Sequence, residues 1–307
     1  MALTLVEAAK RYQNPVQSAI VEMFPTYSDV LQFLPFNSIQ GSAMRYNREE
    51  ALPGVGFRGV NESYTESTGV LNPVTEPLVI GGGDLDVDAF ILRTQGADQR
   101  SVQEAMKVKA LALRWTETFI KGDNASEPRE FDGLQTRLTG SQVISAGSTS
   151  GGAALSLAKL DELIDAVDSP THLIMNKAMR RRLSAAARSS SVGGYITYTL
   201  DAFGRRVTQY NDLPILIADQ DETGTDILGF TEAASTGAST ATSIYCVSFT
   251  EGMMTGIQSG EPMVKDLGEL ETKPVFRTRV EWDCGIAIFH AKAAARLKFI
   301  GDLAVTA

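Results

Sequence analysis

The chain has 307 residues, 43% of them hydrophobic and 21% charged, which is the composition of a globular protein with ample core material and not of a disordered one. Its longest apolar runs, such as 285–289, fall far short of the roughly 20 residues of a membrane span, and Met1–Lys10 lacks the basic flank and apolar centre of a secretory leader. A net charge of −9 argues against a protein that grips nucleic acid over its surface, because such binding needs Lys and Arg against phosphates.

In chain order, residues 1–40 join an amphipathic opening, 3–12, to two Pro-punctuated apolar strings, Met23-Phe24-Pro25 and Phe33-Leu34-Pro35-Phe36, that keep no period. This reads as an extended arm that needs a surface, either the body of its own chain or a neighbouring subunit. Residues 41–95 are rich in Gly, Pro, Thr, Val and Glu, and two β-like runs, 42–47 and 74–80, bracket a polar stretch too long for a tight turn. They predict a long two-stranded projection, which is marginal in water without a partner. Near its tip stand Leu52, Val55, Phe57, Val60, Tyr64, Val70 and Leu71, whose apolar surface predicts burial on a neighbour. Arg45, Arg48 and Arg58, interleaved with Glu49, Glu50, Glu62 and Glu66, would form a polar rim that sets the register of that contact.

Ser101-x-x-Glu104 has the form of a capping box. Val102, Ala105, Val108, Ala112, Trp115 and Phe119 then recur at spacings of three and four until Gly122, predicting one amphipathic helix of about 20 residues and 30 Å. A Ser/Gly-rich connector, 145–152, leads into a helix over 157–167 stopped by Pro170, a strand over 172–175 and a helix over 177–188 capped by Asn176. Strands follow at 206–210, 214–218 and 244–249, around a low-complexity loop, 221–243, that reads as a flexible tip. Last comes a hairpin of 264–271 and 275–282 turning at Glu271, Lys273 and Pro274, whose second strand runs on into 284–290 and an Ala-rich close.

Several patterns that could carry chemistry have a plainer reading. Gly54-x-Gly56-x-x-Gly59 has the letters of a dinucleotide fingerprint but neither a preceding strand nor a following helix, so it reads as flexibility in the projection. Asp84, Asp86 and Asp88 share one strand face, yet Ala89 and Gln95 stand where an EF-hand needs Gly and Glu, which favours a solvated or salt-bridged face. His172 and His290 are the only histidines and sit in no nucleophile or metal pattern. Lys177, Arg181 and Arg188, with Arg180 and Arg182 beside them, make a basic helix face better read as solvated than as a phosphate site. Cys246 and Cys284 are far apart and outside any C-x-x-C, which excludes a cysteine zinc site, suits a reducing cytosol and places both in the core.

Residues 52–90, with Tyr64-Thr65-Glu66-Ser67-Thr68 and the strand ending Gly81-Gly82-Gly83-Asp84, resemble the projecting E-loop of HK97-fold phage major capsid proteins. Phe131-Asp132-Gly133-Leu134, Leu173-Ile174-Met175-Asn176 and Leu270-Glu271-Thr272-Lys273 resemble the same family in the same order. The resemblance implies an α+β, HK97-like capsid fold: an N-terminal arm (1–40), an extended β-hairpin E-loop (41–95), a peripheral domain with a long spine helix (96–153), an axial α/β domain (154–262), the returning peripheral hairpin (263–290) and the C-terminal end of the axial domain (291–307).

It also implies a structural protein, with no enzymatic activity, cofactor or metal, that self-assembles into pentamers and hexamers of an icosahedral capsid around double-stranded DNA. Its place would be the virion capsid, assembled in the bacterial host cytoplasm with a portal, and its contacts with packaged DNA on the inner face would be weak. No long helical segment precedes the arm, which begins at Met1, so a separate scaffolding protein is expected. No lysine occurs between Lys10 and Lys107, which excludes covalent linkage through an E-loop lysine. The alternatives are an encapsulin-like nanocompartment shell and an acidic cytosolic nucleotide-binding enzyme.

Overall fold

A computed structural model describes residues 27–95, 98–188, 196–200 and 206–306; the strings 3–12 and Met23-Phe24-Pro25 lie outside them. A short helix, Asp29–Phe33, is capped by Ser28, whose Oγ accepts hydrogen bonds from the Leu31 amide and from Thr116 Oγ1. Strand β1 (Phe36–Ser38) follows, then β2 (Ala43–Ala51), β3 (Val70–Pro77) and β4 (Val79–Asp88), a helix over Ala89–Gln95 and the long helix Asp98–Lys121. After the helical turn Leu134–Arg137 come β5 (Val143–Ser145), helix Leu157–Asp165, β6 (His172–Met175), helix Lys177–Ala186, β7 (Ile196–Leu200), β8 (Arg206–Tyr210) and β9 (Leu213–Ile217). The chain closes with β10 (Ala241–Val247), β11 (Met254–Gln258), β12 (Met263–Glu269), β13 (Val275–Ile288) and β14 (Ala294–Gly301).

The largest sheet, in the order β5-β14-β10-β6-β9-β8-β7, divides the molecule into two cores. Along β10, Ile244 and Cys246 face one way into a core with Leu160, Leu163, Met179 and Leu183 of the two helices that flank β6. Tyr245 and Val247 face the other way, into a core with Trp115 and Phe119 of the long helix and Trp282 and Ile286 of β13. Strict alternation on a strand buried on both faces is why β10 reads as an almost unbroken run of small and apolar residues.

The second sheet is built on β13, which pairs antiparallel with β11, β12 and β4, with β1 added in parallel at the edge. Phe36 lies against Trp115 and Trp282, and a Cβ on Gly256 would fall 2.3 Å from its ring. Only glycine lets the strand and the ring approach so closely. At the end of the long helix Gly122 does the same for the chain's return, since a Cβ there would fall 2.3 Å from the Phe131 carbonyl.

Four expectations are corrected. The described part of the presumed arm, residues 27–40, is not extended throughout, since Asp29–Phe33 is helical. Of the two surfaces open to it, this part lies on the body of its own chain: Val30, Leu31, Leu34 and Phe36 are buried in the core with the long helix and β13. The long helix starts at Asp98, not at Ser101, and Glu104 is no capping residue; its carboxylate accepts from Arg100 and from Thr278 of β13. Val102 is correspondingly exposed, and the buried stripe begins only at Val108.

The loop 221–243 is no free tip. Ile227 and Leu228 are buried, Asp221 accepts from the Thr223 and Thr225 amides, and Glu232 pairs with Arg296 at 2.8 Å. Short polar side chains here bond backbone instead of leaving it to water. Finally, residues 79–88 leave the projection: they run as β4 along ten residues of β13, from Val79↔Cys284 to Asp88↔Val275.

Candidate assembly surface

Strands β2 and β3 form a separate two-stranded sheet, in register from Ala43↔Pro77 to Ala51↔Val70. At the root, one face of this hairpin meets the body. Tyr46 donates to the Ile288 carbonyl at 2.8 Å and stacks edge-on against Phe289, with ring centroids 4.8 Å apart. Glu76 takes both guanidinium arms of Arg137, one at 2.7 Å, in a buried bidentate pair. Burial, with the Glu76 carboxylate adding to it, pushes the Tyr46 phenol up to about 12, so this hydroxyl stays a donor at neutral pH.

Beyond the root the hairpin stands clear of the body. Arg45 and Glu49 are exposed on the outer face, Arg48 is half-buried on the inner one, and Glu50 lies on β2. Residues 52–69 form an irregular tip that holds itself together. Ser67 donates to the Gly54 carbonyl, the Glu62 carboxylate receives the Gly59 amide at 2.7 Å, and Arg58 donates to the Glu62 carbonyl while lying over the Tyr64 ring. Around this frame the apolar residues point to solvent: Val55 is 93% exposed, Phe57 fully so and Val60 92%. Leu52, Tyr64, Val70 and Leu71 are also exposed, as is Glu66. The glycines of 54–59 open no helix and follow no phosphate-binding turn.

The connection between β12 and β13 is a second exposed turn. Glu271, Lys273 and Pro274 are all exposed, with the Leu270 amide closing on the Val275 carbonyl. The Pro274 carbonyl accepts from Ala89, which ties this turn to the helix after β4. Nothing in the sequence pointed to that helix, since Ala89–Gln95 is too short for a period to emerge; the signal is Asp88, whose carboxylate accepts from the Phe90 amide at 2.7 Å.

The chemical patterns resolve to structural contacts. Asp84 pairs with Arg279 at 2.7 Å and Asp86 with Arg277 at 2.6 Å, directly across strands. The guanidinium hydrogen bonds hold both carboxyls below the usual range. Among the described residues no group of three or more His, Cys, Asp or Glu is placed to hold a metal ion. His172 sits between the Phe33 and Phe249 rings, where burial lowers its pKa to about 4. Lys177 pairs with Asp219 and Arg182 with Asp302, while Arg180, Arg181 and Arg188 have no ion pair among the described residues. Both cysteines are buried, which pushes the Cys246 thiol up to about 12 and raises that of Cys284. Among the described residues no helix is long and apolar enough to cross a membrane.

No family model and no curated protein matches the sequence. The fold, by contrast, is similar over nearly its full length to solved shell proteins. The holo-SrpI encapsulin complex from Synechococcus elongatus PCC 7942 superposes with a TM-score of 0.65 at 16% identity, covering 91% of this chain and 89% of that one. A protein of Microbacterium phage Oxtober96 gives 0.63 at 12%, covering 89% and 91%. The capsid of the native GTA particle gives 0.59 at 16%, covering 90% and 91%. The chain therefore has the mixed α+β, HK97-like fold.

Proposed function

We propose that this chain is the structural subunit of an icosahedral phage capsid, assembling with copies of itself into pentamers and hexamers around double-stranded DNA and catalysing nothing. One observation carries the reading: on a fold that phage and encapsulin shells share, a hairpin locked to the body at Tyr46 and Glu76 holds a bare apolar tip away from it. A soluble monomer has no use for such a tip, and a subunit that must bury it on a neighbour does.

In this reading residues 1–40 are the arm, 41–78 the E-loop, 79–153 and 263–290 the peripheral domain, with β4 moved there by its pairing to β13, and 154–262 with 291–307 the axial domain, joined to the peripheral one where β11 pairs with β13. The tip residues Leu52, Val55, Phe57, Val60, Tyr64, Val70 and Leu71 bury on the next copy, with Arg45, Arg48, Arg58, Glu49, Glu50, Glu62 and Glu66 as its polar rim and Glu271, Lys273 and Pro274 as a second contact. A separate scaffolding protein and a portal complete assembly in the bacterial cytoplasm, and the acidic surface keeps contact with DNA weak.

The likeness to the SrpI encapsulin favours a second reading, a cellular nanocompartment. Electron microscopy of particles formed by the chain, expressed with its genomic neighbours, separates the two. DNA-filled, tailed particles support the capsid; shells loaded with an enzyme support the compartment; a small discrete oligomer overturns both.

A further inference from the structure

We infer that the helix Lys177–Ala186, with Arg188 just past its end, is the surface through which this chain meets the phosphates of double-stranded DNA. The inference rests on the shell reading and names the residues that carry its DNA contact. Between Asp168 and Asp201 the sequence holds five cations, Lys177, Arg180, Arg181, Arg182 and Arg188, and no carboxylate, in a chain whose net charge is −9. The helix turns Met179 and Leu183 to the core and leaves the cations outside it.

Two of the five are answered within the chain, Lys177 by Asp219 and Arg182 by Asp302 at 2.9 Å, while Arg180, Arg181 and Arg188 form no ion pair among the described residues. Their placement works against the helix. Its first turn holds no acidic residue to offset them, cations near a helix N-terminus oppose its dipole, and like charges four residues apart, as at Lys177 and Arg181, repel. Solvation alone gives no reason for such a set, whereas an anionic partner relieves both penalties at once.

The partner that fits is a phosphate backbone and not a protein. A protein contact needs a desolvated apolar or aromatic centre, but the residues left between these cations are Ala178, Ser184, Ala185, Ala186 and Ala187. Lys177, Arg181 and Arg188 follow at helical spacings of four and seven, a row of about 16 Å on one face, which suits the run of phosphates along a duplex. Beside it an open cavity of about 420 Å³ is lined by Lys177, Arg180 and Arg181. Of its two carboxylates, Asp219 is held by Lys177 and Asp226 accepts from Gln220. Contacts of this kind position DNA without reading its sequence, and salt weakens them.

Binding of a short labelled DNA duplex to the full chain in dilute solution, read by fluorescence anisotropy across a salt series, tests the inference. Arg180→Gln, Arg181→Gln and Arg188→Gln are combined in one variant. A control of equal net charge combines Arg93→Gln, Lys265→Gln and Lys292→Gln, exposed cations on other elements. The first variant should bind about tenfold or more weaker than the parent, with a log–log salt slope shallower by about two to three, and the control should stay within about twofold of the parent.

A parent that binds no duplex at low salt, equal losses in the two variants, or a first variant that binds as the parent does would each overturn the inference. Sedimentation of the same three proteins separates it from the shell reading. If the first variant keeps its affinity for DNA but no longer forms particles, the arginines meet another copy and the DNA contact is refuted. A parent that binds duplex through these arginines yet never assembles upholds the contact and removes the shell.

Discussion

Tyr46, on the outgoing strand of the hairpin, gives its phenolic hydrogen to the main-chain carbonyl of Ile288, 242 residues further along the chain. With the Glu76–Arg137 pair beside it, this contact decides whether the projection is a fixed lever or a loose tether. Arg137→Met leaves the Glu76 carboxylate buried without its partner, a change that costs about 3 kcal/mol in such settings. Tyr46→Phe keeps the ring against Phe289 and forfeits about 1 kcal/mol. Hydrogen exchange should show both variants losing protection first along β2 and β3, with the long helix unaffected.

His172 should make the fold acid-sensitive. Its pKa is near 6.5 in the unfolded chain and about 4 in the fold, so the unfolded state binds the proton first. Stability from this group is complete above about pH 6.5 and is lost as pH falls from there through about 4. The loss is at most about 3 kcal/mol, less where solvent reaches the ring. His172→Phe keeps the stack on Phe33 and Phe249 and removes the titration. The difference in Tm between pH 7 and pH 4.5 should shrink in the variant; an unchanged difference would place the acid sensitivity elsewhere.

Asp84 and Asp86 of β4 already have arginine partners, Arg279 and Arg277, which leaves them poorly placed to take a metal ion. Adding millimolar calcium should leave Tm unmoved, and Asp84→Asn should not alter that. A rise in Tm with calcium that Asp84→Asn abolishes would show that the Arg277 and Arg279 partners yield to a metal.

With no lysine between Lys10 and Lys107, the E-loop has no amine to join to a neighbour's carboxamide. Particles boiled in SDS should release a single band at the chain's 33.1 kDa. A multimer ladder that survives reduction would reveal a covalent link from another part of the chain.

What the sequence made legible follows from how local each signal is. The strand 172–175, the Asn176 cap and the helix after it were readable because a cap bond and a short apolar run are decided within a few residues; the structure has Asn176 Oδ1 accepting from the Met179 amide at 2.7 Å. The exposed tip was readable because bare apolar residues among Gly and Glu have no local explanation. The true start of the long helix was not, since what extends it to Asp98 is Arg100 reaching Asp266 and Thr278, over 160 residues away. The burial of Phe36 likewise depends on Gly256, and the order in the loop 221–243 on Arg296; no window on the sequence contains such pairs.

The central claim is that the tip exists for assembly and not for folding, and replacing residues 52–71 by a short Gly/Ser turn tests it most directly. None of those residues belongs to either core, so circular dichroism of the variant should match the parent while sedimentation finds only monomers or small capsomers. A variant that still sediments as intact shells would contradict the claim outright.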